Sequence, residues 1–209
     1  MTNNSWLDWN HLLNTYSNVV TKENLVIEIG SSTVSRTIDI AKRCKKLIGV
    51  EKYKNRIPAD NKFSRYKIKI IKGDWQNLGE VITPNSIDII IASHVIEHVK
   101  DDIKCLNESY KVLKEGGYLI FNTPNRKRLA RTIIEFFIGE RKFPFWEHIR
   151  EYVKSDLEKL IEKSNFSDKE AVISSVGFGL RLFGFGYYTT RSPVILDSLS
   201  TFWEVVLRK

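Results

Sequence analysis

The sequence has 209 residues, of which 42% are hydrophobic and 28% charged, a composition typical of a globular protein with one large core. No run approaches the roughly 20 consecutive apolar residues that span a bilayer, so we expect no membrane-spanning helix. The first residues lack the basic start and apolar run of a secretory signal. Cys44 and Cys105 have no CxxC neighbour, so we expect reduced thiols and a cytoplasmic location.

The chain carries 33 Lys and Arg against 25 Asp and Glu, a formal net charge of +8. Such an excess of cations favours contact with anions, namely nucleic acid, an anionic membrane surface or a phosphorylated substrate. A solvated, lysine-rich surface without such a partner is the alternative. The charge therefore does not select a partner by itself.

Short apolar runs alternate with helix-length stretches from residue 25 to about residue 125. The runs cover residues 25–29, 46–50, 68–71, 87–92 and 118–121. Two of them are nearly continuous in Ile, Leu and Val, as in strands that are covered on both faces. The alternation predicts an α/β fold, a doubly wound and mostly parallel sheet with helices on both faces. Ligands bind beyond the carboxyl ends of the strands in such sheets.

Three signals set the expected element boundaries in the second half of the chain. A helix through residues 103–113 is predicted to end at Gly116-Gly117. The segment Ser155-Asp156-Leu157-Glu158 fits a capping box that starts a helix, with Asn165 as its left-handed stop. We interpret residues 172–176 and 202–207 as two final strands around a loop.

We treat residues 1–209 as a single domain with two appended parts. Residues 1–24 are predicted to form an N-terminal helical cap. Residues 126–155 are predicted to form an insertion or lid on the substrate side. This segment opens with Arg126-Lys127-Arg128 and becomes strongly apolar. That pattern suits a membrane surface or a lid over a lipophilic acceptor. An ordinary core-facing helix with a basic end is the alternative.

Small or acidic residues follow the first three predicted strands. The run Glu28-Ile29-Gly30-Ser31-Ser32 is a tight turn that lets backbone N–H groups approach a ligand closely. Glu51, 21 residues after Gly30, can accept hydrogen bonds from both hydroxyls of a ribose. Asp74 can accept from an adenine amino group while Trp75 flanks the base. The alternative is a helix N-cap aspartate followed by a core tryptophan.

Together these segments resemble the class I S-adenosylmethionine (SAM)-dependent methyltransferases. The resemblance is closest to the branch that includes the ubiquinone-pathway O-methyltransferases and related small-molecule methyltransferases. It extends from residue 25 to about residue 175. The segments that carry it are Glu28/Gly30, Glu51, Asp74, Val95-Ile96-Glu97-His98-Val99, Leu113-Lys114-Glu115-Gly116-Gly117, Thr123-Pro124-Asn125 and His148-Ile149-Arg150-Glu151-Tyr152.

The resemblance implies a seven-stranded sheet whose last strand is antiparallel. It also implies SAM as cofactor and S-adenosyl-L-homocysteine as product. Ser32 and Val34 stand where the family has glycines, and Glu115 stands where it has a proline. Valine is bulkier than glycine, so we expect the turn to be reshaped or its affinity for the cofactor to be reduced.

The resemblance assigns the methionine end of the cofactor to Gly30 and its neighbours, the ribose to Glu51, and the adenine to Asp74 with Trp75. Ser93 and His94 are implied to lie close to the sulfonium. The full predicted cofactor-binding set is Glu28, Gly30, Ser31, Ser32, Glu51, Lys52, Asp74, Trp75, Ser93 and His94.

An oxygen acceptor must lose a proton during methyl transfer, and a histidine suits that role. His94 and His148 are therefore the candidate catalytic residues. A packed or capping histidine is the alternative for each of them.

The set His94, Glu97 and His98, with His148 from a later loop, also resembles the metal site of small-RNA 2′-O-methyltransferases. A divalent ion held there would orient substrate oxygens and lower the pKa of a hydroxyl. Glu-His at this position is common in family members without a metal. We therefore predict a site with no metal and keep this set as the alternative.

We predict that the chain methylates a small-molecule acceptor, at oxygen, and that this acceptor is lipophilic or glycan-like. One alternative is an RNA methyltransferase, although the sequence shows no separate RNA-binding domain and no Asn/Asp-Pro-Pro-aromatic segment. A second is a non-catalytic SAM-binding partner subunit, for which Ser32 and Val34 argue. The sequence predicts no oligomeric state.

Overall fold

The computed structural model describes residues 19–31, 34–57, 63, 65–139, 147–182, 185–189 and 198–209. The helices are α1 (Val34–Ala41), α2 (Asp102–Val112), α3 (Leu129–Ile138) and α4 (Lys154–Glu162). The strands are β1 (Leu25–Ile29), β2 (Lys46–Glu51), β3 (Ile68–Lys72), β4 (Ile87–Ser93), β5 (Leu113–Pro124), β6 (Ala171–Val176), β7 (Phe178–Leu182), β8 (Phe185–Thr189) and β9 (Phe202–Arg208).

Seven strands form one sheet in the order β3-β2-β1-β4-β5-β9-β6. The strands β1 to β5 pair in parallel, and β9 is antiparallel to both β5 and β6. The predicted mostly parallel, seven-stranded sheet with an antiparallel last strand is therefore confirmed. The strand order reverses between β1 and β4, so the carboxyl ends of these two strands border the crevice where ligands bind in such sheets.

Strand β4 is buried on both faces because its apolar residues alternate between two hydrophobic clusters. Ile89 and Ile91 pack in the cluster that contains Ile40 of α1. Ile90 and Ala92 belong to the cluster that contains residues of α2 and α4. Successive side chains of a strand point to opposite faces, which explains the nearly continuous apolar run. Helices thus cover both faces of the sheet, as the sequence predicted.

The glycine pair does not end the preceding helix, contrary to the sequence prediction. Helix α2 ends at Val112, and Gly116 and Gly117 lie inside β5. Gly116 has a φ of +75°, and a Cβ on Gly117 would lie 2.9 Å from the Lys114 carbonyl oxygen. The pairing of β5 with β4 shifts register at Ile87. The glycines therefore serve a bulge in β5.

Helix α4 begins one residue before the predicted capping box. The Asp156 carboxylate accepts from the Val153 N–H at 3.1 Å, so the cap is formed by this pair and not by Ser155 with Glu158. Asn165 is not left-handed, because the positive-φ residues other than glycine in the described ranges are Asn85 and His94. Its N–H donates to the Asn107 side chain of α2 at 2.8 Å, which fixes the chain there without a left-handed turn.

The segment between the two final strands is more regular than the predicted loop. Strands β7 and β8 pair antiparallel with each other as a separate two-stranded sheet. Pairing within this hairpin satisfies the backbone groups on the inner edges of the two strands. Most of the predicted N-terminal cap, residues 1–18, lies outside the described residues. None of the described helices has the length and apolarity needed to cross a membrane.

Candidate functional site

A cavity of about 580 Å³ lies at the carboxyl ends of β1, β2, β3 and β4. Seven of the predicted cofactor-binding residues line it, each from the end of a strand or the turn that follows. They are Gly30, Glu51, Lys52, Asp74, Trp75, Ser93 and His94. Glu28 and Ser31 are buried but are not among the lining residues. Ser32 lies outside the described residues.

Gly30 makes the close turn that opens the cavity. Its φ is +71°, and a Cβ built on it would lie 2.9 Å from Cγ2 of Val95. Its N–H donates to the Val50 carbonyl at 2.9 Å, which ties the end of β1 to β2. Glycine is required here because both the backbone conformation and the space exclude a side chain.

Glu28 holds the first helix in place from inside the protein. Its fully buried carboxylate accepts hydrogen bonds from the Arg36 guanidinium and, at 2.6 Å, from the Thr37 hydroxyl. Burial raises the pKa of Glu28, against the lowering effect of Arg36. A contact between Glu28 and the cofactor stays a prediction.

Arg36 itself lines the cavity, and its guanidinium donates to the Gly30 carbonyl at 2.8 Å. Sequence reasoning missed this residue because one arginine in a helix forms no pattern.

Two acidic side chains border the cavity on the side of β2 and β3. Glu51 is 5% exposed, and its Oε1 accepts from the Tyr53 N–H at 3.0 Å. Asp74 caps the turn that follows β3 by accepting from the Gln76 N–H, and it lies 2.8 Å from Nζ of Lys52. Burial alone would raise the pKa of Asp74, but the hydrogen bonds from Lys52 and Gln76 hold it below its usual value. Asp74 is therefore an ionised acceptor.

Trp75 belongs both to the cavity wall and to the core. Its side chain is 2% exposed, and its indole N–H donates to the Ser109 hydroxyl of α2 at 2.8 Å. The N-cap and core roles that were the alternatives for Asp74 and Trp75 are thus present, together with the position at the cavity.

His94 follows β4 in a left-handed conformation, with a φ of +53°. Its N–H donates to Oδ1 of Asn122 at 3.0 Å, and its ring packs edge-on against Phe202, with 4.9 Å between the ring centroids. Its Nδ1 lies 3.2 Å from Oε1 of Glu97. The bonds from β5 and the ring contact fix a backbone conformation that most residues avoid.

Glu97 is fully buried, and its second carboxylate oxygen accepts from the Thr123 hydroxyl at 3.1 Å. Burial would raise the pKa of Glu97, but the hydrogen bond and the charge of His94 hold it below its usual value. An ionised carboxylate only accepts hydrogen bonds, so in the neutral form of His94 this network assigns the ring proton to Nδ1. In that neutral form Nε2 of His94 carries a lone pair, and this buried nitrogen has no hydrogen-bond partner among the described residues.

The other candidate base lies away from the cavity lining. Nδ1 of His148 is 3.0 Å from Oε1 of Glu151, a carboxylate that also pairs with Arg128 and Arg131. His98 does line the cavity, and its Nδ1 donates to the Glu147 carbonyl at 3.0 Å. The two histidine rings meet edge-on at 4.8 Å. The structure therefore places His94 in the cavity wall and His148 outside it.

The residues of the metal alternative are only partly gathered. Among the described residues, Glu97, His98 and His148 offer ligand atoms within 4.8 Å of one another. His94 is not part of this group. Both oxygens of Glu97 already accept hydrogen bonds, from His94 and Thr123.

The outer rim of the cavity contains residues that no sequence signal indicated. Tyr53 and Arg56, from the turn after β2, line it together with Glu147. The guanidinium of Arg56 lies 3.7 Å from the Glu147 carboxylate. Residues so far apart in the chain could not have been related before the fold was known.

Comparison with known proteins agrees with this geometry. Residues 27–121 match the family model described as Methyltransferase domain. A probable S-adenosylmethionine-dependent methyltransferase of Mycolicibacterium smegmatis is 33% identical over 107 residues. The match covers 50% of this chain and 38% of that relative, so the chain spans well under half of the relative's length.

Two solved structures show the same fold. The YcgJ protein from Bacillus subtilis has a TM-score of 0.68 at 16% identity, covering 96% of this chain and 98% of that protein. The N-methyltransferase NodS from Bradyrhizobium japonicum, solved with S-adenosyl-L-homocysteine, has a TM-score of 0.61 at 16% identity. That match covers 99% of this chain and 89% of NodS.

The strand order, the cavity at the point where it reverses and the matched family model support a class I SAM-dependent methyltransferase domain. Its central part, residues 27–121, is similar to the Methyltransferase domain family. The cofactor of this class is SAM.

Proposed function

We propose that the chain transfers the methyl group of SAM to an oxygen atom of a small-molecule acceptor, with His94 as the base. The observation that carries the proposal is the His94–Glu97 pair, in which a buried carboxylate orients an imidazole at the wall of the cavity. This arrangement leaves the lone pair of Nε2 for a substrate proton.

The cavity fits a nucleoside cofactor by volume and by the chemistry of its wall. Its volume of about 580 Å³ lies within the usual range of small-molecule sites. Glu51 would accept from the ribose hydroxyls through the oxygen that does not bind Tyr53. Asp74 would accept from the adenine amino group, supported by Lys52. Gly30 would admit the methionine end, and Arg36 beside it suits a carboxylate.

The bound cofactor supplies an electrophilic methyl group on a sulfonium. The acceptor hydroxyl transfers its proton to Nε2 of His94 as its oxygen forms the new bond to the methyl carbon. Bound SAM would leave as S-adenosyl-L-homocysteine and keep the electron pair of the broken carbon–sulfur bond on its sulfur. Glu97 stabilises the positive charge that forms on the His94 ring, because its ionised carboxylate contacts Nδ1.

Titration calorimetry with S-adenosyl-L-homocysteine tests the cofactor site. We expect binding by the wild type and a loss of about tenfold or more for Glu51→Ala, because charged hydrogen bonds to two hydroxyls disappear. Glu158→Ala removes an exposed acid on α4 and should leave affinity unchanged. Absence of binding by the wild type would favour a non-catalytic partner subunit instead.

A further inference from the structure

A second cavity, of about 290 Å³, lies between the amino end of α4 and the strands β6 and β9. Its wall includes Lys127, Lys154, Ser155 and Trp203. We propose that it binds an oxyanion group, phosphate or carboxylate, of the methyl acceptor. The assignment of this anion to the acceptor rests on the proposed function, whereas anion binding by the cavity does not.

The amino end of a nine-residue helix supplies the first attraction for an anion. The backbone N–H groups of Lys154 and Ser155 are the first two of α4, and a helix provides no internal acceptor for them. The helix dipole adds partial positive charge at the same place. Asp156 already caps the Val153 N–H, so its carboxylate is turned to the chain that precedes the helix.

Two lysines flank this end because the chain segments that carry them are tied together. Asn125 pairs with Tyr152 as an isolated β-bridge, and the Arg126 N–H donates to the Tyr152 carbonyl at 2.9 Å. Oδ1 of Asn125 accepts from the Lys127 N–H at 2.9 Å. Lys127 and Lys154 are both exposed, so their ammonium groups can turn to an anion at little cost.

The indole N–H of Trp203 independently indicates that a hydrogen-bond acceptor is missing. Trp203 is 4% exposed and is one of the residues that line the cavity, and its buried indole Nε1 has no hydrogen-bond partner among the described residues. Indole N–H is a donor only, and a buried donor without an acceptor is unfavourable. An oxyanion in this cavity would provide an acceptor for it.

The cavity borders the proposed reaction centre through one pair of residues. Trp203 in β9 lies directly opposite Thr123 in β5. The Thr123 hydroxyl donates to Glu97, which orients His94. An acceptor held by its anionic group beside Trp203 would therefore extend along the same sheet edge toward the candidate base.

The test is an NMR titration of the full chain, ¹⁵N-labelled, with inorganic phosphate. Potassium chloride of equal ionic strength is the reference. We expect the Trp203 indole N–H signal to move in a saturable manner. The Trp75 indole, which already donates to Ser109, serves as the internal control and should stay in place. Trp203→Phe assigns the signal, and backbone-linked assignment replaces this variant if it does not fold.

Single-charge variants locate the site. Lys127→Gln and Lys154→Gln should each weaken phosphate binding about two- to fivefold. Lys159→Gln removes the same charge from the other end of α4 and should have no effect. A Trp203 signal that moves no more than the Trp75 signal, or equal weakening by all three variants, would overturn the proposal. Saturable binding without affinity for S-adenosyl-L-homocysteine would leave the anion site intact and remove only the proposed function.

Discussion

Nδ1 of His94 lies 3.2 Å from a carboxylate oxygen of the fully buried Glu97, three residues along the chain. This contact is possible because His94 adopts a φ of +53°, which brings its ring back toward the turn that contains Glu97. The pair has the form of a base and the group that orients it. Its position beside Ser93 and Gly30 in the cavity wall makes it the centre of the proposed chemistry.

Replacing the base should separate catalysis from cofactor binding. His94→Asn keeps a side chain that tolerates a left-handed conformation but supplies no base. Once an acceptor is known, we expect kcat to fall about 10²- to 10⁴-fold, with affinity for S-adenosyl-L-homocysteine within a few-fold of the wild type. His98→Asn, at a neighbouring part of the wall, is the matched control. Equal losses in both variants would argue against a base at His94.

The buried Glu97 should make stability sensitive to acid. Its folded-state pKa is lowered, so the folded protein binds fewer protons than the unfolded chain as pH falls toward and through that value. Stability contributed by the ionised form is therefore present above the unfolded pKa of about 4.3 and lost below it. Thermal unfolding of wild type and Glu97→Gln between pH 7 and pH 3 measures this. The variant should be less stable at pH 7 and show a smaller loss on acidification.

Gly30→Ala should damage the cofactor turn through two separable effects. A Cβ at this position meets Val95 at 2.9 Å, and the φ of +71° strains any side chain. We expect a loss of about 1–2 kcal/mol of stability from backbone strain and weaker binding of S-adenosyl-L-homocysteine. Gly139→Ala has a φ of +82° but nothing within 4 Å, so it measures strain without a clash. Unchanged cofactor affinity in Gly30→Ala would contradict the assigned role of the turn.

Methyl transfer should proceed without a divalent ion. Both oxygens of Glu97 already accept hydrogen bonds, from His94 and Thr123, so a metal would have to compete with existing partners. We expect the same rate before and after treatment with EDTA. A loss of activity that Mn²⁺ or Zn²⁺ restores, and that His148→Ala abolishes, would support the alternative site formed by Glu97, His98 and His148.

The end of α3 should contact an anionic membrane surface. Phe136 and Phe137 are 83% and 79% exposed and stack edge-on, which is unusual for adjacent large apolar residues. The net charge of +8 favours the same surface. In flotation with phosphatidylglycerol vesicles we expect association of the wild type and its loss in the double variant Phe136→Ser/Phe137→Ser. If the wild type stays with the unbound fraction, the membrane contact is excluded.

The sequence by itself determined the sheet and most of the cavity edge. Nearly continuous apolar runs such as residues 87–92 can be recognised in the sequence because β4 is buried on both faces. The positions of three cavity residues, Gly30, Glu51 and Asp74, can also be predicted from the sequence. Each follows such a run, and parallel strands place their carboxyl ends at one edge of the sheet. These features depend on residues close together in the chain, so local pattern is sufficient.

Only the tertiary structure decided which of the predicted site residues contact one another. It assigned Glu28 to Arg36 and Thr37, tied His148 to Glu151, and paired His94 with Glu97. It also showed that the Gly116-Gly117 pair lies in a strand bulge and does not end a helix. The bulge depends on pairing of β5 with β4, whose residues lie 26 or more positions earlier in the chain. Such contacts join residues far apart in sequence or depend on one backbone angle. Neither residue type nor spacing determines them, because packing against neighbouring elements does.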